Sequence, residues 1–261
     1  MTLHTETFGS GPDLVLIHGW AMHGGIFAPL TPLLAQHFRV HVVDLPGHGF
    51  SIDEMRASDS IDARDWAARI AAALPNPALW VGWSMGGLVA LHQALDRPQQ
   101  VRGLVEIAES PRLLSGADWP QGIAPDVLAE FGAGLRRDYR RAIERFLALE
   151  LIGACNAQST LRGLKARVFE RGEPAMRVLI EGLRVLETAD LRARLHELAM
   201  PSLWIAGRRD RLISSAAMRW SALQAPRGRF LEIDSGHAPF LSHPGEVASA
   251  ILAFYNGLPH R

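Results

Sequence analysis

Short apolar runs alternate along this chain with longer stretches in which apolar residues recur every three to four positions. The runs are Leu14-Val15-Leu16-Ile17, Val40-His41-Val42-Val43, Ala78-Leu79-Trp80-Val81, Val101 to Ala108, Leu203-Trp204-Ile205-Ala206 and Phe230-Leu231-Glu232-Ile233. Several lack any polar alternation, as strands covered on both faces do. Between the runs, Ile26–Gln36, Ile61–Ala73, Met85–Leu95, Ser214–Ala225 and Pro244–Tyr255 read as helices. The alternation predicts an α/β fold: a mostly parallel sheet with right-handed crossovers and helices on both faces. In such a sheet, functional groups gather past the carboxyl ends of strands. His18, Ser84 and Asp210 stand just past such ends, and His237 lies in the loop after the last run.

The rhythm breaks between residues 111 and 189. This segment has no convincing strand, is rich in Arg, Leu, Ala and Glu, and carries apolar residues at helical spacing. It predicts a helical cap inserted over the strand ends, with residues 1–110 and 190–261 forming the core. No internal repeat or Ser/Gly linker divides the chain further.

Composition narrows the partners. Lys plus Arg and Asp plus Glu both number 27, so no global basic field invites nucleic acid or an acidic membrane. Cys155 is the single cysteine, which excludes an intrachain disulfide. No apolar run approaches the roughly 18 residues of a membrane span, and the first residues lack the basic and apolar regions of a signal peptide. The expectation is a cytoplasmic monomer.

The densest chemical signal is Gly82-Trp83-Ser84-Met85-Gly86, lying between an apolar run and a helical stretch. Strand, sharp turn and helix with serine at the apex is the geometry that lifts a hydroxyl above a sheet edge. A serine hydroxyl is a weak nucleophile and needs a base, with a third group to orient that base. Asp210 and His237 follow two later strand candidates, so the chain order is serine, acid, histidine. Ser84 is then the nucleophile, His237 the general base and acid, and Asp210 the group that fixes the imidazole tautomer. The oxyanion calls for backbone N–H donors; the candidates are Met85, next to the nucleophile, and Trp20, in His18-Gly19-Trp20. His18 and Asp44 read as structural. No His, Cys or Asp cluster has metal-ligand spacing, and neither a metal nor another cofactor is expected.

These residues resemble the α/β-hydrolases. The resemblance is carried by Leu16-Ile17-His18-Gly19-Trp20, Val43-Asp44-Leu45-Pro46-Gly47, Gly82 through Ala90, and Ala238-Pro239-Phe240 with Ser242-His243-Pro244. Trp83, the segment from Trp119-Pro120 through Pro125-Asp126-Val127-Leu128, and Glu144-Arg145-Phe146-Leu147-Ala148-Leu149 narrow it. They resemble the carboxylesterases of biotin synthesis, which cleave a methyl ester from a pimeloyl chain held on acyl carrier protein. That resemblance implies substrate contacts at Trp20, Ser84, Met85, Phe146, Leu147, Ala148, Leu149, Glu150 and His237. The sequence departs at Glu150, often glutamine in the family, and at Met85, commonly leucine.

Charge supports an acidic partner separately. Residues 136–171 hold nine basic and four acidic side chains, a local net of +5 in a chain of zero net charge. Arg137, Arg141 and Arg145 recur at helical spacing and are expected on one helix face, with Tyr139, Ile143, Phe146 and Leu147 on the other. The resemblance points to Arg141, Arg145, Arg162 and Lys165 as contacts for acyl carrier protein. The same three reacting side chains would also serve a broad short-chain esterase or a carbon–carbon bond hydrolase. A small-molecule receptor on the same fold is the non-enzyme reading.

Overall fold

Seven strands form one sheet in a computed structural model that describes residues 3–54, 59, 61–150 and 168–259, with backbone only for 53, 54, 149 and 150. The strands are β1 (Thr5–Phe8), β2 (Asp13–Ile17), β3 (Arg39–Val43), β4 (Ala78–Trp83), β5 (Val101–Ile107), β6 (Ser202–Gly207) and β7 (Gly228–Ile233). Their order is β1-β3-β2-β4-β5-β6-β7; β1 runs antiparallel to β3 and every other pair is parallel. All six residues of β4 are buried, so both faces of the sheet are covered there, which is why that segment reads as an unbroken apolar run.

The helices are α1 (Thr31–Leu34), α2 (Ala63–Ala73), α3 (Met85–Asp96), α4 (Pro125–Arg137), α5 (Tyr139–Glu150), α6 (Met176–Thr188), α7 (Ser215–Gln224), α8 (Pro239–Ser242) and α9 (Pro244–Asn256). Two expectations change. The helix predicted over Ile26–Gln36 is a 3₁₀ turn at Gly24–Phe27 followed by the four-residue α1. Pro29 and Pro32 lack the N–H that a continuous helix would use. β1, which the apolar pattern did not indicate, pairs along β3 as the edge of the sheet, with its Phe8 exposed.

Between β5 and β6 the described chain forms α4, α5 and α6, preceded by a small loop with single bridges Leu114–Ile123 and Gly116–Trp119. Among the described residues no helix is long and apolar enough to cross a membrane. The chain winds from β2 outward to β3, then returns across to β4 and continues the other way. The carboxyl ends of β2 and β4 therefore flank the point where strand order reverses, the usual place for a crevice in an open α/β sheet.

Candidate active site

Ser84 sits at the turn from β4 into α3 with φ 54° and ψ −125°, a conformation that costs a residue with a side chain on the order of 1–3 kcal/mol. The flanking glycines make it possible. A β-carbon at Gly82 would run into the Gly86 carbonyl and Gly87 Cα, and one at Gly86 into the Ile17 carbonyl. The spacing of the motif is thus a steric requirement of packing β4, α3 and β2 together. The turn is held by the Ser84 N–H, which donates to the Ile107 carbonyl of β5 at 3.0 Å, and by the Gly87 N–H, which donates to the Ser84 carbonyl at 2.7 Å.

Asp210 and His237 meet although 27 residues separate them, because β6 and β7 are adjacent and end at the same level. The Asp210 Oδ2 lies 2.8 Å from His237 Nδ1, and both side chains are almost wholly buried. Its Oδ1 accepts the N–H groups of Leu212 at 2.7 Å and Ile213 at 3.0 Å, which fixes the carboxylate plane. A carboxylate facing Nδ1 makes that nitrogen the protonated one and leaves Nε2 basic. The Trp83 indole N–H donates to the His237 carbonyl at 2.9 Å, tying the histidine loop to the strand that carries Ser84.

The loop after β2 passes beside the serine: a β-carbon at Gly19 would stand 3.2 Å from Ser84 Cβ. His18 braces this loop. Its Nδ1–H donates to the Gly19 carbonyl at 2.8 Å, and its Nε2 accepts the Leu45 N–H at 2.9 Å. Burial, with His48 beside it, pushes the His18 imidazole down to about 3, so it stays neutral as its acceptor role requires. Met85 is the first residue of α3, and its N–H is among those a helix leaves without an internal acceptor. The Trp20 indole N–H donates to the Leu179 carbonyl of α6 at 2.9 Å, and its ring packs edge-on against Phe131 and Phe146.

Ser84, His237 and Trp20 line one cavity of about 410 Å³, walled elsewhere by mostly apolar side chains of α4, α5 and α6. Of the further expected substrate contacts, Phe146 and Ala148 line it. Met85 and Leu147 do not; both are fully buried in the core, which leaves Met85 its backbone amide. The side chains of Leu149 and Glu150 lie outside the described residues, as do Arg162 and Lys165. Arg137, Arg141 and Arg145 are not on one helix, because α4 ends at Arg137 and α5 begins after Asp138. They nevertheless converge on one cleft of about 300 Å³, and Arg145 and Gly134 also line the larger cavity, so the two spaces adjoin. Ile143 and Leu147 are fully buried and Phe146 nearly so, as the opposite face of α5 was expected to be. His23 is a buried loop residue that caps the turn at Gly24. The pattern of the sequence did not reveal Glu109, which lines the cavity two residues beyond β5; its place past a strand's carboxyl end was the available signal.

Residues 14–250 match the model of a family described as the alpha/beta hydrolase family. A pimeloyl-[acyl-carrier protein] methyl ester esterase of Xanthomonas campestris pv. campestris (strain B100) is 51% identical over 258 residues, covering 98% of this chain and 100% of the relative. One from Stenotrophomonas maltophilia (strain R551-3) is 52% identical over 260 residues, covering 98% and 97%. Among solved structures, an esterase from Exiguobacterium antarcticum superposes with a TM-score of 0.87 at 20% identity, covering 98% of this chain and 96% of that one. A bromoperoxidase from Bacillus anthracis superposes at 0.86 with 19% identity, covering 97% and 95%; likeness at this identity concerns the fold.

Proposed function

The chain belongs to the alpha/beta hydrolase family, and from that premise we propose that it is a serine carboxylesterase cleaving the methyl ester of a pimeloyl chain carried on acyl carrier protein. The observation that supports this most is full-length identity of about half to esterases of that name, in a chain whose His237, paired with Asp210, lines the same cavity as Ser84. Segment 111–189 serves in this reading as the cap that closes the cavity.

The chemistry follows from the groups in place. Ser84 Oγ attacks the ester carbonyl carbon while His237 Nε2 takes its proton. The oxyanion is met by the N–H groups of Met85 and Trp20, each worth about 2.7–4 kcal/mol of barrier. His237 returns the proton to the departing methoxide, and methanol leaves. Water then enters and attacks the acyl carbon as His237 removes its proton; the bond to Ser84 Oγ breaks as His237 returns that proton to it, and the released acid ionises to a carboxylate. Asp210 holds the imidazole in the tautomer that both proton transfers need and stabilises its cation.

The adjoining cleft suits the carrier end. Arg137, Arg141 and Arg145 are exposed there and form no salt bridge among the described residues. A phosphopantetheine arm and the acidic protein behind it would meet three guanidinium groups at the mouth of an apolar acyl cavity. Arg137→Glu with Arg141→Glu changes only this outer cleft. It is expected to lower kcat/KM on the carrier-bound ester by about tenfold or more, mainly through slower association, and to leave a short nitrophenyl ester unaffected. Assaying both substrates side by side tests the whole reading. Equal loss on both would remove the docking role, and absence of methyl ester cleavage by the unaltered enzyme would reduce the assignment to a broad short-chain esterase.

A further inference from the structure

Among the described residues, the mechanism leaves unused two buried acids that close on α3, the helix that follows the nucleophile. Glu106 is fully buried on β5, and neither of its carboxyl oxygens has a hydrogen-bond partner among the described residues. Glu109 is 3% exposed and forms part of the cavity wall with Ser84 and His237. It follows Ala108, whose φ of 45° turns the chain at the end of β5, the strand paired with β4. Both acids reach α3 because Gly87 has no side chain. A β-carbon there would strike Glu106 Oε2 and stand 2.7 Å from Glu109 Cβ. Gly87 is three residues past Ser84, and Glu109 lines the cavity in which the ester would be cleaved.

We propose that Glu109 is a specificity-determining residue that rejects a carboxylate at the end of the acyl chain and so expels the product of the reaction. The inference rests on the esterase reading above. The substrate ester is neutral and makes no demand on a nearby acid. Hydrolysis consumes water, releases methanol and leaves at the same point a carboxylic acid that is ionised at neutral pH. Two carboxylates side by side in an apolar cavity do not both stay ionised. The product is therefore held only while Glu109 carries a proton, and loses its footing as that proton leaves.

The surroundings agree with this role. Burial holds the Glu106 carboxyl well above the usual carboxylate range, and Glu109 raises it further. Burial raises Glu109 as well, against a partial pull downward from the Ser110 N–H. Glu106 lies behind the wall, and Glu109 is the acid that lines the cavity. Among the described residues, the other charged or titratable groups facing the cavity are His237 after β7, Glu130 on α4 and Arg145 on α5.

His237 also binds a carboxylate better when protonated, so the test is a difference between enzymes. The methyl ester is the substrate. A pimeloyl thioester ending in the free acid is the inhibitor, with its terminal amide as the neutral control, from pH 6 to 9. For the unaltered enzyme, Ki of the acid should climb by up to about tenfold per pH unit once Glu109 ionises, while Ki of the amide does not share that climb. In Glu109→Gln the acid should bind at least tenfold more tightly at the alkaline end, with the climb reduced to the part set by His237. Glu109→Asp and Glu130→Gln should keep the original profile. If the Gln variant does not fold by circular dichroism, Glu109→Met carries the same expectation. A Glu109→Gln profile matching that of the unaltered enzyme overturns the proposal. Failure of the unaltered enzyme to cleave the ester would instead overturn the esterase reading.

Discussion

Replacing Ser84 by alanine is expected to lower turnover of the carried methyl ester by about 10⁶-fold while the substrate still binds. The size follows from what the substitution removes. Without Oγ there is no nucleophile, and His237 and Asp210 have nothing to activate; in units of this kind, losing the serine costs about as much as losing every member. The amides of Met85 and Trp20 and the cavity wall remain, so a residual advantage of roughly 10³–10⁴ over water is retained. The turn itself tolerates the change, because its sharpness is set by Gly82 and Gly86 and by the Ser84 N–H bond to Ile107, none of which uses the hydroxyl. In the proposed reading, binding is carried by the acyl cavity and the arginine cleft, so Kd for the carrier-bound ester should stay within a few-fold. Single-turnover hydrolysis and direct titration separate the two quantities. A serine-directed phosphonate should label the unaltered enzyme and not the variant. A loss of less than about a hundredfold would place the nucleophile elsewhere.

The parts of this site that could be read from the sequence are those whose local pattern is forced by packing. β4 is an unbroken apolar run because each of its residues is buried, and the glycines around Ser84 are demanded by contacts under van der Waals distance. Asp210 and His237 could be placed because each follows a strand, and parallel neighbours bring such positions level. What escaped depends on partners remote in sequence. β1 is four residues long and half exposed, so it carries little hydrophobic signal; its pairing with β3 defines it. Arg137 and Arg141 look like successive turns of one helix, and only the break at Asp138 shows that they approach the same cleft from two. Glu109 carries no pattern at all. Its burial is a consequence of Gly87, more than twenty residues away, and of a cavity completed by α4 to α6. The general rule that site residues lie past carboxyl ends of parallel strands covers it, yet that rule does not say which residue of the loop turns inward.

Asp210→Asn is expected to lower kcat by about 10⁴-fold with little change in KM or in stability. The two oxygens of Asp210 have separate duties. Oδ1 accepts the Leu212 and Ile213 N–H groups, and asparagine keeps that bond through its own carbonyl oxygen. Oδ2 faces His237 Nδ1 at 2.8 Å, and there asparagine must present its NH₂ group. A donor at that position obliges Nδ1 to accept, which moves the imidazole proton to Nε2, the nitrogen that must take the Ser84 proton. The imidazole is then correctly placed in the wrong tautomer, and the cation formed during attack loses its counter-charge. Asp210→Ala gives the contrast. It should lose comparable activity but also about 1–3 kcal/mol of stability, because two buried loop N–H groups lose their acceptor. Measuring kcat, KM and the denaturation midpoint for both variants distinguishes an electrostatic and tautomeric role from a scaffold role. If Asp210→Asn retained activity within about tenfold of the unaltered enzyme, the orientation of His237 would have to come from another group, and the unit of Ser84, His237 and Asp210 would no longer describe this site.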